Sequence, residues 1–458
     1  MNSERGAAGT PPWSEVGVRS ALGLAPAAGR APLTFTEIST DTRTIKPGAL
    51  FVALKGERFD GHDHLAAAAA AGATAAVVVR GSPHTAGLEL LEVEDTLRAY
   101  GALAHARRGR IRGPVIGVTG TNGKTSTKEM LAAALRTRWR AHATRANLNN
   151  LVGVPATILE APADTEALVV EAGANIPGEI ARYREIIDPS AAVITNATAG
   201  HLEGFGSLAG VLAEKLSLVR DVPLAVVGSK PTALAEGARR LARRVLTAGL
   251  ENAERLPDRV SLDDLGRATV EVDRQRFQLP YPGRHLADNA MLAWTVAREL
   301  GLELSAVADA FGRFTLPGGR TELKQEGRLT ILNDAYNANP HSFQAAIETA
   351  RQLRRGRRLV FVAGTMRELG PDAAQLHAEV AKCLVELEPD LLAAVGEFVP
   401  ALAPWKARLG DRLITAADAP AIGTLVAARL QGDEVVVLKA SRGVALERIL
   451  PSLLERAR

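Results

Sequence analysis

Residues 117–126 read GVTGTNGKTS, after the apolar run GPVI and before TKEMLAAALRTRW. An apolar strand, a glycine-rich turn, Lys-Thr and an amphipathic helix in one register predict a phosphate-binding loop, because backbone N–H groups and the helix N-terminus then face an anion. Glycines at 117, 120 and 123 let the backbone approach it closely. The count departs from G-x-x-x-x-G-K-[ST], since Val118 stands where that rule puts its first Gly. The variant narrows the kind of ATPase, and the full register speaks against an ordinary glycine turn. Within Gly120, Thr121, Asn122, Gly123, Lys124, Thr125 and Ser126, Lys124 is expected to neutralise the β and γ phosphates of ATP and Thr125 to ligate Mg2+.

Such a loop belongs to a parallel α/β sheet, and the chain alternates accordingly. Its 458 residues suggest about three domains, at roughly 150 residues each. The first is a small α/β unit with strands GALFVAL (48–54) and TAAVVV (74–79) and a helix at Ala66–Ala71. The charged, Gly/Pro-punctuated run HARRGRIRGP, 105–114, is expected to be the first boundary. The second domain runs VIGVT, a helix from about Thr125, ALVVEAG, a helix from about Gly178, and SAAVIT. On the helix after the loop, Thr127, Met130, Leu131, Ala134, Leu135 and Arg138 share the packed face, leaving Lys128 and Arg136 in water. FTLPGGRTEL, 314–323, breaks the pattern before RLTILND, RRLVFVAG, DLLAAVG and DEVVVLKA form a third α/β domain. None of its strand ends carries G-x-G-x-x-G, so a dinucleotide site has no support. The predicted domains are 1–110, 111–315 and 316–458.

The apolar fraction of 47% and charged fraction of 23% are those of a globular protein. AAAAAAGATAAVVV is too short and too weakly apolar for a membrane span, so no membrane insertion is expected. MNSERGAAGTPPWSEV lacks the apolar centre of a secretory signal. Cys383 is the one cysteine, which excludes an intrachain disulfide and fits a reducing, cytoplasmic setting. The net charge of +4 comes with arginine runs, RRGRIRG and RQLRRGRRL, but these are scattered and few aromatics accompany them. They are expected to be solvated faces or binders of small anions, with no nucleic-acid partner.

Two further residues extend the predicted site. Glu171 ends the apolar strand of LVVEAG, at the sheet edge where the phosphate loop opens, as a hard-cation ligand should. His201, in NATAGHLEGFGS, lies in a glycine-rich loop past the next strand and is directed to the same edge. Lys215, in the helix that follows, reads by default as a solvated lysine.

Taken with ATRANLNNLVGVPATIL, VVEAGANIPGEI and NATAGHLEGFGS, the loop resembles the Mur ligases of peptidoglycan synthesis. STDTRTIKPGALFVALKGERFDGHDH, YPGRHLADNAMLAW, PGGRTEL, LNDAYNANPHS, GTMRELG and LKASRGVALE match the family's other blocks in order, over about residues 33–449. YNANP with HLEGFGS is most similar to the member that joins D-alanyl-D-alanine to UDP-N-acetylmuramoyl-tripeptide. The resemblance implies three α/β domains: a small N-terminal UDP-binding domain, a central parallel-sheet ATPase and a Rossmann-like C-terminal domain. It also implies ATP and Mg2+ and a reaction through an acyl phosphate, and a monomer is expected. On matching positions it places Thr125, Glu171 and His201 around Mg2+, Asn289 at the adenine, and Arg320 and Asp334 at phosphate and ribose. Ser39, Asp41, Thr42 and Arg43 would hold the UDP end, Asn147, Asn149 and Asn150 the sugar and peptide, and Tyr336, Asn337 and Asn339 the amino substrate. In relatives the lysine matching Lys215 can be carbamylated, which would make it a further metal ligand.

The chain departs from the family pattern at four places: Leu286 replaces an Asn, Asn333 and Thr365 each replace an Asp, and Ala440 replaces a Gly. Lys124, Glu171, His201, Asn289, Arg320 and Asp334 are intact, so an active enzyme is expected. The rival readings are a ligase adding a diamino acid to UDP-muramoyl-dipeptide, a folylpolyglutamate synthase-like ligase, and a non-catalytic nucleotide-binding module.

Overall fold

In the computed structural model, residues 12–56, 59–200 and 202–456 are described. They fall into two compact units, one drawn from residues 1–117, 138–174 and 178–192, the other from 118–137, 175–177 and 193–458. Near the N-terminus β1 (Trp13–Ser14) and β2 (Thr34–Phe35) pair antiparallel. A four-stranded parallel sheet follows, β3 (Ile38–Ser39), β4 (Leu50–Val52), β5 (Ala75–Val79) and β6 (Glu89–Val93), in that order. Its core packs Phe51, Ala76 and Val78 against Leu65 and Ala68 of the helix Leu65–Ala70.

The central sheet has the order β12-β11-β10-β7-β9-β8, from β7 (Val115–Thr119), β8 (Ala141–Ala143), β9 (Ala167–Glu171), β10 (Ala191–Ile194), β11 (Leu224–Val227) and β12 (Val245–Thr247). Every residue of β7, β9 and β10 is buried, which is why these strands read as unbroken apolar runs rather than alternating ones. A three-stranded antiparallel sheet follows, β13 (Arg259–Leu262), β14 (Arg267–Val272) and β15 (Gln275–Pro282).

The last sheet has the order β16-β17-β21-β18-β19-β20, with β16 (Glu322–Glu326), β17 (Leu329–Asp334), β18 (Leu359–Ala363), β19 (Leu391–Val395), β20 (Leu413–Ala416) and β21 (Val435–Lys439). Its pairs are parallel except for the edge strand β16. Successive side chains of these strands enter opposite cores. Leu332, Phe361 and Val437 join one, Ile331, Val360 and Val436 the other. The parallel register sets Asp334, the last residue of β17, opposite Lys439, the last of β21.

Three expectations from sequence need correction. Lys128 is fully buried and pairs with Glu129, because the helices His285–Glu299 and Leu304–Phe311 both pack on the helix Lys124–Leu135 and leave it little free face. Arg138 is exposed, since it lies beyond that helix's last residue. The arginines of the run 105–114 are not all solvated. The helix Thr96–Arg108 extends into it, Arg107 is buried and donates to the Ala161 and Pro162 carbonyls (3.2 and 2.9 Å), and Arg108 donates to those of Ile187 and Asp188. Guanidinium groups here donate to carbonyls at and just beyond the C-terminal ends of the helices Gly153–Leu159 and Glu179–Ile187. Among the described residues, no helix is long and apolar enough to cross a membrane.

Candidate active site

The loop after β7 adopts a conformation that side chains resist. Gly120 has φ +143° and Gly123, the N-cap of the helix Lys124–Leu135, has φ +80°. A Cβ at Gly123 would lie 2.4 Å from Asn289 Oδ1, and one at Gly120 would lie 1.9 Å from Thr195 Oγ1. Gly123 makes no side-chain cap to this helix, whose N-terminus favours an anion. Lys124 Nζ folds back over the loop and donates to the carbonyls of Gly120 (2.8 Å) and Thr121 (3.1 Å). Thr125 is buried and Ser126 nearly so.

The segment after β10 fixes the loop from its other side. Thr121 Oγ1 donates to Thr198 O at 3.0 Å, and Asn122 N donates to Asn196 Oδ1 at 3.0 Å. Asn122 O accepts from Thr195 Oγ1 and from Asn196 Nδ2. Sequence reading did not single out Thr195, Asn196 and Thr198, although the last two lie within the quoted block NATAGHLEGFGS.

Glu171 ends β9, next to β7 in the central sheet, and is 1% exposed. Its N–H donates to Thr144 Oγ1 (2.9 Å) and its Oε1 accepts from Asn149 Nδ2 (2.9 Å). Its Oε2 is buried with no hydrogen-bond partner. Asn149, expected near sugar and peptide, is engaged with this carboxylate, while Asn150 Oδ1 accepts from Gly153 N at the start of the helix Gly153–Leu159. Asn147 is exposed. His201 lies outside the described residues. Lys215 is not the solvated lysine expected from its sequence. It is fully buried on the helix Leu208–Leu216, with Nζ 5.4 Å from the centre of the Phe205 ring, because that helix turns Val211, Glu214 and Lys215 inward.

At the third sheet, Asp334 Oδ1 accepts from Thr321 N (3.0 Å) and Oδ2 accepts from Lys439 Nζ (2.5 Å). Lys439, buried, also donates to Asn337 O at 2.8 Å, and sequence reading missed it although LKASRG was quoted as a block. The Arg320 guanidinium lies 3.8 Å and that of Arg442 5.3 Å from the centre of the Tyr336 ring, a cation–π arrangement. Asn289 is buried against Gly123, and Asn339 caps the helix Pro340–Arg354. Burial pushes the nearby His285 down to about 4, so its imidazole is neutral at pH 7.

Ser39, Asp41, Thr42 and Arg43 form a tight turn. Ser39 Oγ accepts from Asp41 N, Asp41 Oδ1 accepts from Arg43 N, and the Arg43 side chain grips the same carboxylate at 2.8 and 2.6 Å. Those hydrogen bonds hold Asp41 down to about 2. Arg43 is otherwise open to solvent, with 86% of its side chain exposed, and so presents a cation that a phosphate can take over from Asp41.

Comparison with known proteins gives one answer over most of the chain. The Mur ligase family catalytic domain matches residues 34–108, the Mur ligase middle domain 118–297, and the Mur ligase glutamate ligase domain 319–442. The UDP-N-acetylmuramoyl-tripeptide–D-alanyl-D-alanine ligase of Bacillus subtilis (strain 168) is 34% identical over 91% of this chain and 93% of its own length. The protein of that name in Escherichia coli (strain K12) is 34% identical over 93% and 95%. Among solved structures, MurF from Acinetobacter baumannii superposes with a TM-score of 0.87 at 29% identity, covering 97% of this chain and 99% of its own. MurF ligase from Thermotoga maritima in complex with ADP superposes with a TM-score of 0.80 at 28% identity, covering 92% and 97%.

Proposed function

This chain belongs to the Mur ligase family, and from that premise we infer that it is an ATP-dependent ligase joining D-alanyl-D-alanine to UDP-N-acetylmuramoyl-tripeptide. The observation that carries the reading is its likeness, across all three domains, to relatives of that one activity, with 34% identity over 91% of the chain. Residues 1–110 are assigned to the UDP substrate, 111–315 to ATP, and 316–458 to the amino substrate and to ATP.

The reaction needs two anions to meet. The terminal carboxylate of the tripeptide attacks the γ phosphorus of ATP, giving an acyl phosphate and ADP. The dipeptide amine then attacks the acyl carbon and expels inorganic phosphate. Lys124 is assigned to the γ phosphate, leaving the two loop carbonyls it now holds, and the amides of Gly120 to Ser126 line the phosphates. Arg320, over the Tyr336 ring, is assigned to phosphate, and Asp334, held from both sides by Thr321 and Lys439, to the ribose. Ser39, Asp41, Thr42 and Arg43 are assigned to the UDP end. Orientation of carboxylate, ATP and amine contributes on the order of 7–11 kcal/mol in reactions of this type.

The residues fit Mg2+. A buried carboxylate oxygen left without a donor, Glu171 Oε2, is what a hard cation requires. Thr125, Glu171, His201 and, if carbamylated, Lys215 would hold it, and the ion would neutralise phosphate charge when bound. We assign the protein to the cytoplasm as a monomer.

The test is phosphate release from ATP with each substrate withheld in turn. Release is expected only when UDP-muramoyl-tripeptide and D-alanyl-D-alanine are both present. Release driven by a diamino acid with UDP-muramoyl-dipeptide, or by glutamate with a folate, would transfer the chain to the corresponding rival ligase. ATP binding without release under any combination would make it a binding module.

A further inference from the structure

We propose that Asn339 is a positioning residue that ties the helix Pro340–Arg354 to the ATP-phosphate loop through Asn122, so that the loop takes its binding shape only with this helix seated. The inference rests on reading residues 117–126 as the phosphate loop. It also replaces a direct contact of Asn339 with the amino substrate.

The argument begins with helix capping. Asn339 has extended backbone angles, φ −149° and ψ 169°, and its Oδ1 accepts from Ser342 N at 2.9 Å. Ser342 Oγ in return accepts from Asn339 N at 2.9 Å, completing a reciprocal cap, with Pro340 at the first helical position. This fixes which way the carboxamide faces. With its oxygen committed to the helix, the NH2 group points away from it, and there it donates to Asn122 Oδ1 at 2.8 Å. Asn339 is 7% exposed, so water competes little for this bond.

On the other side of the bond, Asn122 is committed at every polar atom. Its N–H goes to Asn196, its carbonyl receives Thr195 and Asn196, its Nδ2 reaches Thr198 Oγ1 at 3.4 Å, and its Oδ1 receives Asn339. Asn122 directly precedes Gly123 and Lys124, so its orientation sets that of the amides that follow. Gly200 keeps the junction close: a Cβ there would lie 2.5 Å from Thr121 Cγ2 and 3.7 Å from Asn339 Nδ2. One side chain thus serves both the helix and the loop.

The choice of residue carries the inference further than the distance does. Ser, Asp and Asn cap helices about equally well. Only Asn adds a donor on the far side of the cap. An aspartate would keep the cap but set a carboxylate oxygen against Asn122 Oδ1, and a serine would keep the cap and not reach.

Asn339→Asp and Asn339→Ser therefore separate the two roles in the full-length enzyme. Both are expected to unfold within about 2 °C of the parent, as equivalent caps should. Both are expected to raise KM for ATP or lower kcat so that kcat/KM for ATP falls roughly tenfold, with Asp worse than Ser. KM for D-alanyl-D-alanine is expected to stay within about twofold, since the inference turns Asn339 from that substrate to the phosphate loop. In a double-mutant cycle with Asn122→Ala, the loss in Asn122→Ala/Asn339→Ser is expected to be clearly smaller than the product of the single losses.

Parent-like ATP kinetics in both variants, strict multiplicativity in the cycle, or a change confined to KM for the dipeptide overturns the inference. So does a fall in melting temperature that tracks the fall in rate in both variants, which reduces Asn339 to a cap. Lys124→Ala distinguishes the premise from the inference. An active Lys124→Ala enzyme removes the phosphate-loop reading and the inference with it, whereas an inactive one beside parent-like Asn339 variants removes the inference alone.

Discussion

Replacing Glu171 by Gln should make the ligand-free protein more stable while nearly abolishing its activity. The Glu171 carboxylate is 1% exposed, and its Oε1 has Asn149 Nδ2 at 2.9 Å while its Oε2 has no donor. An unpartnered buried polar atom costs about 1–3 kcal/mol, and more when it bears charge. Glutamine keeps the shape and the bond from Asn149, and exchanges a charged orphan for a neutral one. The difference should be a gain of about 1 kcal/mol or more, since a buried charge short of partners costs more than a neutral amide in the same place. In the enzyme the same orphan oxygen is the proposed Mg2+ ligand, so the substitution should cost about 10²-fold or more in kcat/KM. Urea unfolding without nucleotide reads the first effect as a higher midpoint at unchanged slope. Thermal unfolding with ADP and Mg2+ reads the second, because the upward shift that Mg2+ gives the parent should be reduced in the variant. A variant less stable than the parent without ligand, or one with the parent's Mg2+ dependence, would refute this reasoning and make Glu171 a structural acceptor.

Lys124→Ala should lose turnover by about 10³-fold or more while its unfolding midpoint stays near the parent's, because the half-buried Lys124 donates to carbonyls of its own loop; rates near the parent's would end its phosphate role. Arg43→Ala should raise KM for the UDP substrate several-fold and leave that for D-alanyl-D-alanine unchanged; a shift in the dipeptide constant instead would move Arg43 to the other substrate. Lys215→Ala should be nearly inactive and regain activity with formate or acetate, which fit the space left by a fully buried side chain and restore an oxygen anion. Failure of rescue with normal Mg2+ affinity would mean that Lys215 acts unmodified.

What could be read from the sequence was whatever depends on neighbours along the chain. The phosphate loop needs only a strand, three glycines and a helix in succession, and the unbroken apolar runs of β9, β18 and β21 signal burial on both faces without reference to any partner. What escaped depends on residues distant in sequence that the fold brings together. Lys128 reads as a surface lysine until two helices from residues 285–311 cover it. Arg107 sits in a charged run whose arginines read as solvated, yet its guanidinium donates to carbonyls more than fifty positions away. Asn149 reads as part of an asparagine cluster for a sugar, and only the return of the chain at β9 gives it Glu171 to hold. Lys439 is the plainest case. Nothing within LKASRG says that the parallel register will set it opposite Asp334 and make it the ion partner of that carboxylate.

The four departures from the family pattern meet different surroundings, and their surroundings rank them. Leu286 is buried on the helix His285–Glu299, so it contributes packing where an amide would contribute a contact. Thr365 Oγ1 accepts from Glu397 N at 3.1 Å and lies so close to Gly396 that a Cβ there would stand 2.1 Å away, which makes threonine and glycine a fitted pair. Ala440 is likewise fitted to Gly364, whose added Cβ would lie 2.8 Å from the Ala440 methyl. Asn333 differs from these three. Its Nδ2 donates to Glu322 Oε2 at 2.9 Å, but its Oδ1 is buried without a donor, one residue before the ribose-assigned Asp334. An aspartate in its place would set a second carboxylate against Glu322, which explains why an amide is stable here, because like charges that close destabilise each other. The amide donates one hydrogen bond where aspartate would donate none, and Glu322, which also bonds Gly319 N, thereby fixes the turn that presents Arg320. At this position the chain has exchanged a charge for a hydrogen bond that orders the loop carrying its phosphate-assigned arginine, a change that preserves the site rather than dismantling it.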